Sequence, residues 1–412
     1  MSKEDSGVYH VKSSDGFTLD SYFNYYSKMS NQMVMLQDRV RTSLYRRALM
    51  ANPPEFSGKT IMDVGAGSGV LSFFSAMAGA EKVIAVEASD IVHTLKLLLH
   101  GNPQLQPEKF RVVHKFLEDL TLDDLDSTEL KCADTLVSEP IGTFLFNERM
   151  IETYLHARDL FLKDGGSMFP SRGRLVMQPF SDCSLYQDMI SRAQFWSQRD
   201  YYGVDLSAAL PRAVGEQFQQ PVVDHLDPNV LMSKPNHSDF DFRTLQVADL
   251  KRMVIPLEYE FSQPGIMHGL AGWFDLAFDG STDPIAFSTA PWCASTHWFQ
   301  IMFLLLTPLA VNCGQRVTGN LTMTANNQQS YHIEIYLQVE GTSPLITSKS
   351  AMIDLKDPDF RYYSNPAASF VNSEAVPKEP QPVHVDEWEI LLDQHKMSGN
   401  QHTSNCLGAE FK

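Results

Sequence analysis

The sequence predicts an α/β domain built on a parallel sheet, followed by an antiparallel β domain. Three observations predict it. Between Thr60 and Ser138, short β-branched and apolar runs alternate with helix-like stretches. Beyond Arg172, aromatic and β-branched runs succeed one another with only turn signals between them. The length, 412 residues, suffices for two cores.

Composition narrows the class. Hydrophobic residues make up 43% of the chain, yet no run of about 18 apolar residues occurs, so a soluble intracellular protein is expected, with neither a membrane span nor a secretory leader. Five cysteines, at 132, 183, 293, 313 and 406, are odd in number and share no Cys-x-x-Cys spacing. Reduced thiols and no structural metal are the expectation. The formal charge is −17, of which residues 371–412 carry only −4. An acidic folded surface disfavours direct nucleic acid binding and steers cationic partners inward, although acidity also serves plain solubility.

In chain order, residues 1–20 are polar and aperiodic and read as an arm. Tyr22 to Met50 reads as an amphipathic helix whose aromatic cluster, Tyr22, Phe23, Tyr25 and Tyr26, suits either a core or a lid over a ligand. Asn52-Pro53-Pro54 ends it. Thr60–Val64 reads as a strand running into Gly65, Gly67 and Gly69, Val70–Ala80 as a helix, and KVIAV as a second strand. That strand ends in Glu87, 22 residues beyond Gly65. Glycines let the backbone approach a ligand, and an acid at the end of the next strand accepts hydrogen bonds from ribose hydroxyls. A nucleoside cofactor is the natural occupant. The order Gly-x-Gly-x-Gly departs from the dinucleotide fingerprint, and Asp63 just before it would repel a pyrophosphate. The same anion suits the ammonium and sulfonium charges of S-adenosylmethionine. A purely structural strand-turn-helix has the same outline.

A helix over 90–100, a strand at Phe110–His114 followed by Glu118, and a strand at Asp134–Ser138 continue the parallel pattern. Ser138–Met150, SEPIGTFLFNERM, then sets Glu139 and Glu148 nine residues apart around an apolar loop at a strand end. Two carboxylates in one pocket repel unless a cation lies between them. A guanidinium fits, because its planar fork matches carboxylates bidentately, and drawing its charge to one side leaves a terminal nitrogen more nucleophilic. Two surface glutamates at a helix entrance are the plainer reading. The helix over 148–162 is expected to stop at Gly165-Gly166, and Phe169-Pro170 opens the second half. There RLVMQPF, MVIPLEYEF, GLAGWFDLAF, IMFLLLTPL, RVTGNLTMTA and YHIEIYLQV read as antiparallel sheet or barrel. Residues 179–207 read as a helical insertion whose aromatics, in FWSQRDYYGVDLS, contact another chain. Beyond Tyr363 the chain turns polar, with DEWEILLD, Asp386 to Asp393, as a short binding motif.

Taken in order, YFNYY, VRTSLYRRA, DVGAGSGVLSFFSAMAGA, VEAS, SEPIGTFLFNERM, STAP and THW resemble the motif set of the protein arginine methyltransferases, over roughly residues 20–363. QDRVRT, GVDLS, HGLAGWFD and IDLKDPDFRYYS are most similar to the coactivator-associated, type I branch, here without its amino-terminal pleckstrin-like domain. The resemblance implies an α/β Rossmann-like methyltransferase domain with lid helices over 21–169 and an antiparallel β-barrel domain over 170–363, joined at a cis Pro170. It further implies a helical dimerisation arm at 179–207, a head-to-tail homodimer and a tail at 364–412. The implied activity is S-adenosylmethionine-dependent, asymmetric dimethylation of arginines in histones and other nuclear proteins, among them RNA-binding and transcription proteins. Such an enzyme would act in nucleus and cytoplasm, in transcriptional coactivation and chromatin regulation.

Residue by residue, the resemblance implies that Glu139 and Glu148 bind the substrate arginine and that His297 and Asp38 pair beside it. Tyr22, Phe23 and Tyr26 match the lid, Arg41 the partner of the cofactor carboxylate, Glu87 the ribose ligand and Glu118 the adenine contact. Met35 and Met150 match methionines lining the site. Gln32, Asp63, Gly65, Gly67, Ala88, Glu139 and Thr153 complete the implied cofactor contacts, and Asn147, Trp298, Pro358, Phe360 and Tyr362 the substrate contacts. Four positions depart from the branch. Ala66 replaces a frequent cysteine and is no larger. Thr143 and Phe299 each stand for a tyrosine, and Val34 for an asparagine, near the substrate. They favour, as alternatives, altered specificity or a catalytically weak cofactor-binding scaffold. A small-molecule methyltransferase would keep the glycine loop but has no use for the glutamates and THW.

Overall fold

The computed structural model describes residues 23–361 and the backbone of Val383 and His384. Tyr22, Tyr362, the amino-terminal arm and the DEWEILLD motif lie outside the described residues. The first half is a five-stranded, wholly parallel sheet in the order β3-β2-β1-β4-β5, with β1 Thr60–Val64, β2 Lys82–Glu87, β3 Phe110–His114, β4 Ala133–Ser138 and β5 Leu162–Phe169. Its central strands are covered on both faces, which is why they read as apolar runs without alternation. Strand order reverses between β1 and β4, so a crevice opens at their carboxyl ends, beyond Val64 and Ser138.

The single helix expected over Tyr22–Met50 is divided. A helical turn at 23–26 precedes α1 (Met29–Gln37), and Asp38, at φ −67° and ψ 93°, separates it from α2 (Arg39–Met50). The break has a local cause. Asp38 turns its carboxylate onto the Arg41 N–H at 2.9 Å, capping a new helix instead of continuing the old one. Nor do Gly165 and Gly166 end a helix. After α3 (Val70–Met77) and α4 (Val92–His100), helix α5 (Met150–Phe161) gives way directly to β5, so Gly165 and Gly166 lie inside a strand. A Cβ on Gly166 would stand 2.8 Å from the Asp134 carbonyl oxygen, which explains the need for glycine where β5 closes on β4.

The second half comprises two sheets, antiparallel but for the short parallel pairing of Asp359–Phe360 with Val222–Val223. In one, β10 (Gly265–Phe278) lies between β6 (Arg172–Phe180) and β12 (Gln300–Val311), while β7 (Val222–Asp224) pairs with β12, β8 (Asn236–Asp241) with β6, and β11 (Ile285–Ser288) with β10. In the other, β13 (Arg316–Ala325) lies between β9 (Arg252–Glu260) and β14 (Tyr331–Val339). Single bridges at Leu305–Ser350 and Ser233–Phe261 join the two sheets as a barrel requires. Strand β9 alternates exposed and buried residues along its whole length. The Phe169-Pro170 bond is cis. One apolar core runs through both halves, with Phe144 edge-on to Phe303 at 5.1 Å and Phe56 edge-on to Phe169 at 5.1 Å.

The helical insertion starts later than expected. Pro179 and Phe180 finish β6, paired with Leu270 and Gly269, and helix begins with α6 (Cys183–Arg192), continues through a short turn at Gln194–Ser197 and ends with α7 (Leu210–Gln217). Its aromatic residues face out: Phe195, Trp196 and Tyr201 are exposed and Tyr202 is 93% exposed. Cys132, Cys183, Cys293 and Cys313 are free thiols. Among the described residues no helix is long and apolar enough to cross a membrane.

Candidate active site

The glycine loop is shaped by what touches it. Gly65 and Gly67 adopt φ 71° and 55°, and a Cβ would meet Met150 Cε at 2.6 Å on the first and Gln32 Oε1 at 3.1 Å on the second. Glu87 is buried, and its two oxygens accept from the Gly67 and Ser89 N–H groups, each at 2.7 Å. The carboxylate is thereby fixed at the strand end, with lone pairs still open on both oxygens. Asp63 is fully buried. Burial pushes its carboxyl up to about 7, against the pull of Ser72, whose hydroxyl donates to Oδ2 at 2.6 Å. The second oxygen, Oδ1, has no partner among the described residues. Glu118 accepts from the Thr153 hydroxyl at 3.4 Å, so two implied cofactor residues from different elements meet. Ala88 offers its carbonyl to His114 Nε2 at 3.2 Å.

The amino-terminal segment covers this loop. Gln32 is buried, accepts from the Ser68 N–H at 3.2 Å and donates to the Tyr26 carbonyl at 3.0 Å. Phe23 lies edge-on to Phe116 at 5.2 Å, two residues from Glu118. Tyr26 donates its hydroxyl to Glu148 Oε2 at 2.5 Å. Phe23 and Tyr26 thus reach the two stretches that carry Glu118 and Glu148.

The glutamate loop leaves β4 at Ser138, whose hydroxyl donates to the Val64 carbonyl at 2.7 Å and ties the two strand ends together. Leu145 and Arg149 both sit at positive φ, 55° and 58°, a strained backbone of the kind that collects at functional sites. Arg149 is held by a bidentate pair with Glu152 at 2.7 and 2.9 Å and donates to the Asn326 carbonyl at 2.9 Å. Glu139 pairs with Arg41 at 2.8 Å, the side chains being 11% and 7% exposed. Burial pulls the Arg41 guanidinium down, but the Glu139 charge overcomes this and leaves its pKa raised. Arg41 also donates to the Met35 carbonyl at 3.3 Å. Glu139 Oε1 and Arg41 Nε remain buried without partners among the described residues.

The THW segment closes the far side. His297 donates twice to Asp38 Oδ2, from its backbone N–H and from Nδ1, both at 2.8 Å. The ionised carboxylate fixes the proton on Nδ1 and leaves Nε2 as the basic nitrogen. Trp298 is buried, its ring 4.3 Å from that of His297, and its indole N–H donates to the Ile141 carbonyl at 3.1 Å. Trp298 therefore ties the THW segment to the glutamate loop. Asn147 likewise spends Oδ1 on the Phe144 N–H at 2.8 Å. Pro358 immediately precedes Asp359–Phe360, which pairs in parallel with β7. Val34 is exposed, Thr143 half-buried in the glutamate loop, and Phe299 buried at φ 52°. Ser72, the partner of Asp63, was missed; its signal was a polar residue on the apolar helix VLSFFSAM. A cavity of about 440 Å³ between α6 and β7, lined by Asp182, Asp188, Asp224 and Arg361 among others, holds none of the implied site residues.

Residues 171–344 match the family described as the arginine methyltransferase oligomerization subdomain, and residues 50–95 match ribosomal protein L11 methyltransferase (PrmA). The chain is 43% identical over 367 residues to probable histone-arginine methyltransferase 1.3 of Arabidopsis thaliana, covering 88% of this chain and 67% of that one. Identity to probable histone-arginine methyltransferase 1.4 of the same plant is 42% over 381 residues, covering 90% and 70%. Histone-arginine methyltransferase CARMER of Culex quinquefasciatus is 42% identical over 366 residues, and there the chain spans only 59% of the relative's length. Among solved structures, Arabidopsis thaliana protein arginine methyltransferase 10, in a uniquely open conformation, superposes with a TM-score of 0.71 at 30% identity, covering 80% of this chain and 99% of that one. The Trypanosoma brucei PRMT1 enzyme-prozyme heterotetrameric complex with AdoHcy superposes with a TM-score of 0.68 at 28% identity, covering 79% and 98%.

Proposed function

The chain belongs to the protein arginine methyltransferase family, and from that premise we propose that it uses S-adenosylmethionine to dimethylate arginines of histones and other nuclear proteins asymmetrically. The observation that carries this reading is the Glu139 carboxylate, with one oxygen on Arg41 and the other buried and unpaired, on the same loop as Glu148. A buried acceptor without a donor is costly, and a guanidinium entering between the two glutamates would satisfy it.

The residues fit the cofactor. Glu87 would offer lone pairs to the ribose, Glu118 would hold the adenine, and Arg41, its Nε unpaired, would take the terminal carboxylate. Asp63 Oδ1, buried and unpaired, favours a cation. The chemistry supplied by the bound cofactor is an electrophilic methyl on a sulfonium. Glu139 and Glu148 hold the guanidinium and draw its charge from the attacking nitrogen. Orientation in a pocket closed by Phe23, Tyr26 and Gln32 supplies much of the acceleration. The proton shed by that nitrogen is accepted within the constellation by Glu148 or by Nε2 of His297, which Asp38 holds in the right tautomer.

The exposed aromatics of residues 183–217 serve assembly into a homodimer, a reading supported by the match to an oligomerization subdomain. Histone substrates imply action in the nucleus as well as the cytoplasm, and a role in chromatin regulation and transcriptional coactivation. Incubation with isotopically labelled S-adenosylmethionine and core histones, followed by mass spectrometry of arginine peptides, tests the proposal. Asymmetric dimethylarginine is expected. Symmetric product removes the type I assignment, and no arginine product removes the activity.

A further inference from the structure

Beside the nucleoside end of this site, the ligand atoms of Asp90, His93 and His114 lie within 4.8 Å of one another at the protein surface. Asp90 belongs to the turn after β2, His93 to the first turn of α4, and His114 ends β3, where it is in register with Glu87. His114 Nε2 stands 3.9 Å from Asp90 Oδ1, and the His93 ring meets the His114 ring edge-on at 5.6 Å. We propose that these three side chains bind a divalent first-row transition ion, such as zinc, that bridges the turn after β2 to the end of β3.

The donor set selects the ion class. Two imidazoles and one carboxylate suit zinc and its neighbours, whereas magnesium and calcium prefer oxygen alone. Three protein ligands leave a tetrahedral ion one position for water. Bonds of about 2.0–2.1 Å in that geometry put ligand atoms about 3.3 Å apart, so the three groups have to close by up to about 1.5 Å. All three are exposed, which leaves their side chains free to do so, with His114 Nε2 giving up its contact to the Ala88 carbonyl. A plain surface Asp–His pair beside a second ring would account for the 3.9 Å distance but not for three ligand atoms converging from a turn, a helix and a strand.

The location gives the ion a consequence, which rests on the functional reading above. Glu87 and Ala88 immediately precede the bridged turn. An ion that fixes the turn orders those residues in advance, so ion and nucleoside strengthen each other's binding.

Calorimetric titration of the full chain with zinc, without nucleoside, tests the site independently of that reading. One saturable binding event is expected, weakened at least about tenfold in His93→Ala and in His114→Ala, while melting temperatures in EDTA stay at the wild-type value. Absence of uptake by the wild type, or wild-type affinity in both variants, with zinc then held by cysteines or other histidines, overturns the site. The affinity for S-adenosylhomocysteine, measured with and without zinc, is expected to rise several-fold in the wild type only. No change on zinc addition overturns the coupling. Failure to bind the nucleoside under either condition counts against the proposed function and leaves the zinc titration standing.

Discussion

Asp38 grips His297 at two points, its backbone N–H and its ring Nδ1, both at 2.8 Å. The same carboxylate caps α2, and three residues on, Arg41 pairs with Glu139 at 2.8 Å. One helix start therefore binds the barrel loop and the glutamate loop together.

Asp38 should be worth most above the acid range. Burial raises its carboxyl, but the bonds from His297 and from the Arg41 N–H outweigh this and leave it below the usual value. A depressed folded pKa gives stability that is present above the unfolded value, about 3.9, and lost as pH falls through the folded one. Asp38→Asn should cost about 1.5–3 kcal/mol at neutral pH. Scanning calorimetry should show the gap to wild type narrowing below about pH 4; a gap constant with pH would refute the ionic role.

Asp63 makes cofactor binding pH-dependent in the opposite region. With its carboxyl raised to about 7, the free protein is largely protonated there at pH 6 and ionised at pH 8. A cationic cofactor favours the anion, so affinity for S-adenosylmethionine should fall from pH 8 to pH 6, with proton release on binding at the lower pH. Titrations in two buffers of different ionisation heat count that proton. Asp63→Asn should bind more weakly at both values and release none from this site.

Glu139→Gln and Glu148→Gln keep size and remove charge. If the pair polarises the guanidinium, each should lower kcat about 100-fold or more. Cofactor affinity should hold within a few-fold for Glu148→Gln. For Glu139→Gln it should drop further, because Arg41 loses its partner. Wild-type turnover in both variants would make the glutamates structural.

The arm should control assembly. Phe195, Trp196 and Tyr202 are exposed in the isolated chain, and an aromatic hot spot is worth about 2 kcal/mol or more, roughly 30-fold in affinity. Replacing all three by alanine should turn a dimer into a monomer in sedimentation velocity at micromolar concentration. A monomeric wild type would refute the arm's role.

The parallel half was legible because its strands, buried on both faces, carry unbroken apolar runs, and the barrel because strands such as β9 alternate. Boundaries failed where side chains decide them. Nothing in apolar periodicity marks Asp38 as a cap, and Gly165-Gly166 resembles a helix stop until the approach of Asp134 is known. The residues of the site were legible as motifs, but not their pairings. Arg41 reaches across 98 positions to Glu139, and Tyr26 across 122 to Glu148. The bond from Trp298 to the Ile141 carbonyl was not legible either, since a tryptophan does not announce whether its indole nitrogen is already spent.

The covering segment has a bearing on the order of events in turnover. Gln32 fastens it to the glycine loop and Tyr26 to the glutamate loop, so a single flap spans two doorways. If it lifts as one piece, the glycine loop and the glutamate loop open together, and a nucleoside on the first is covered once it closes. The molecule admitted first is then the last released, and steady-state kinetics on this chain should follow a compulsory sequence, with the nucleoside entering ahead of the peptide and its demethylated form leaving after the product.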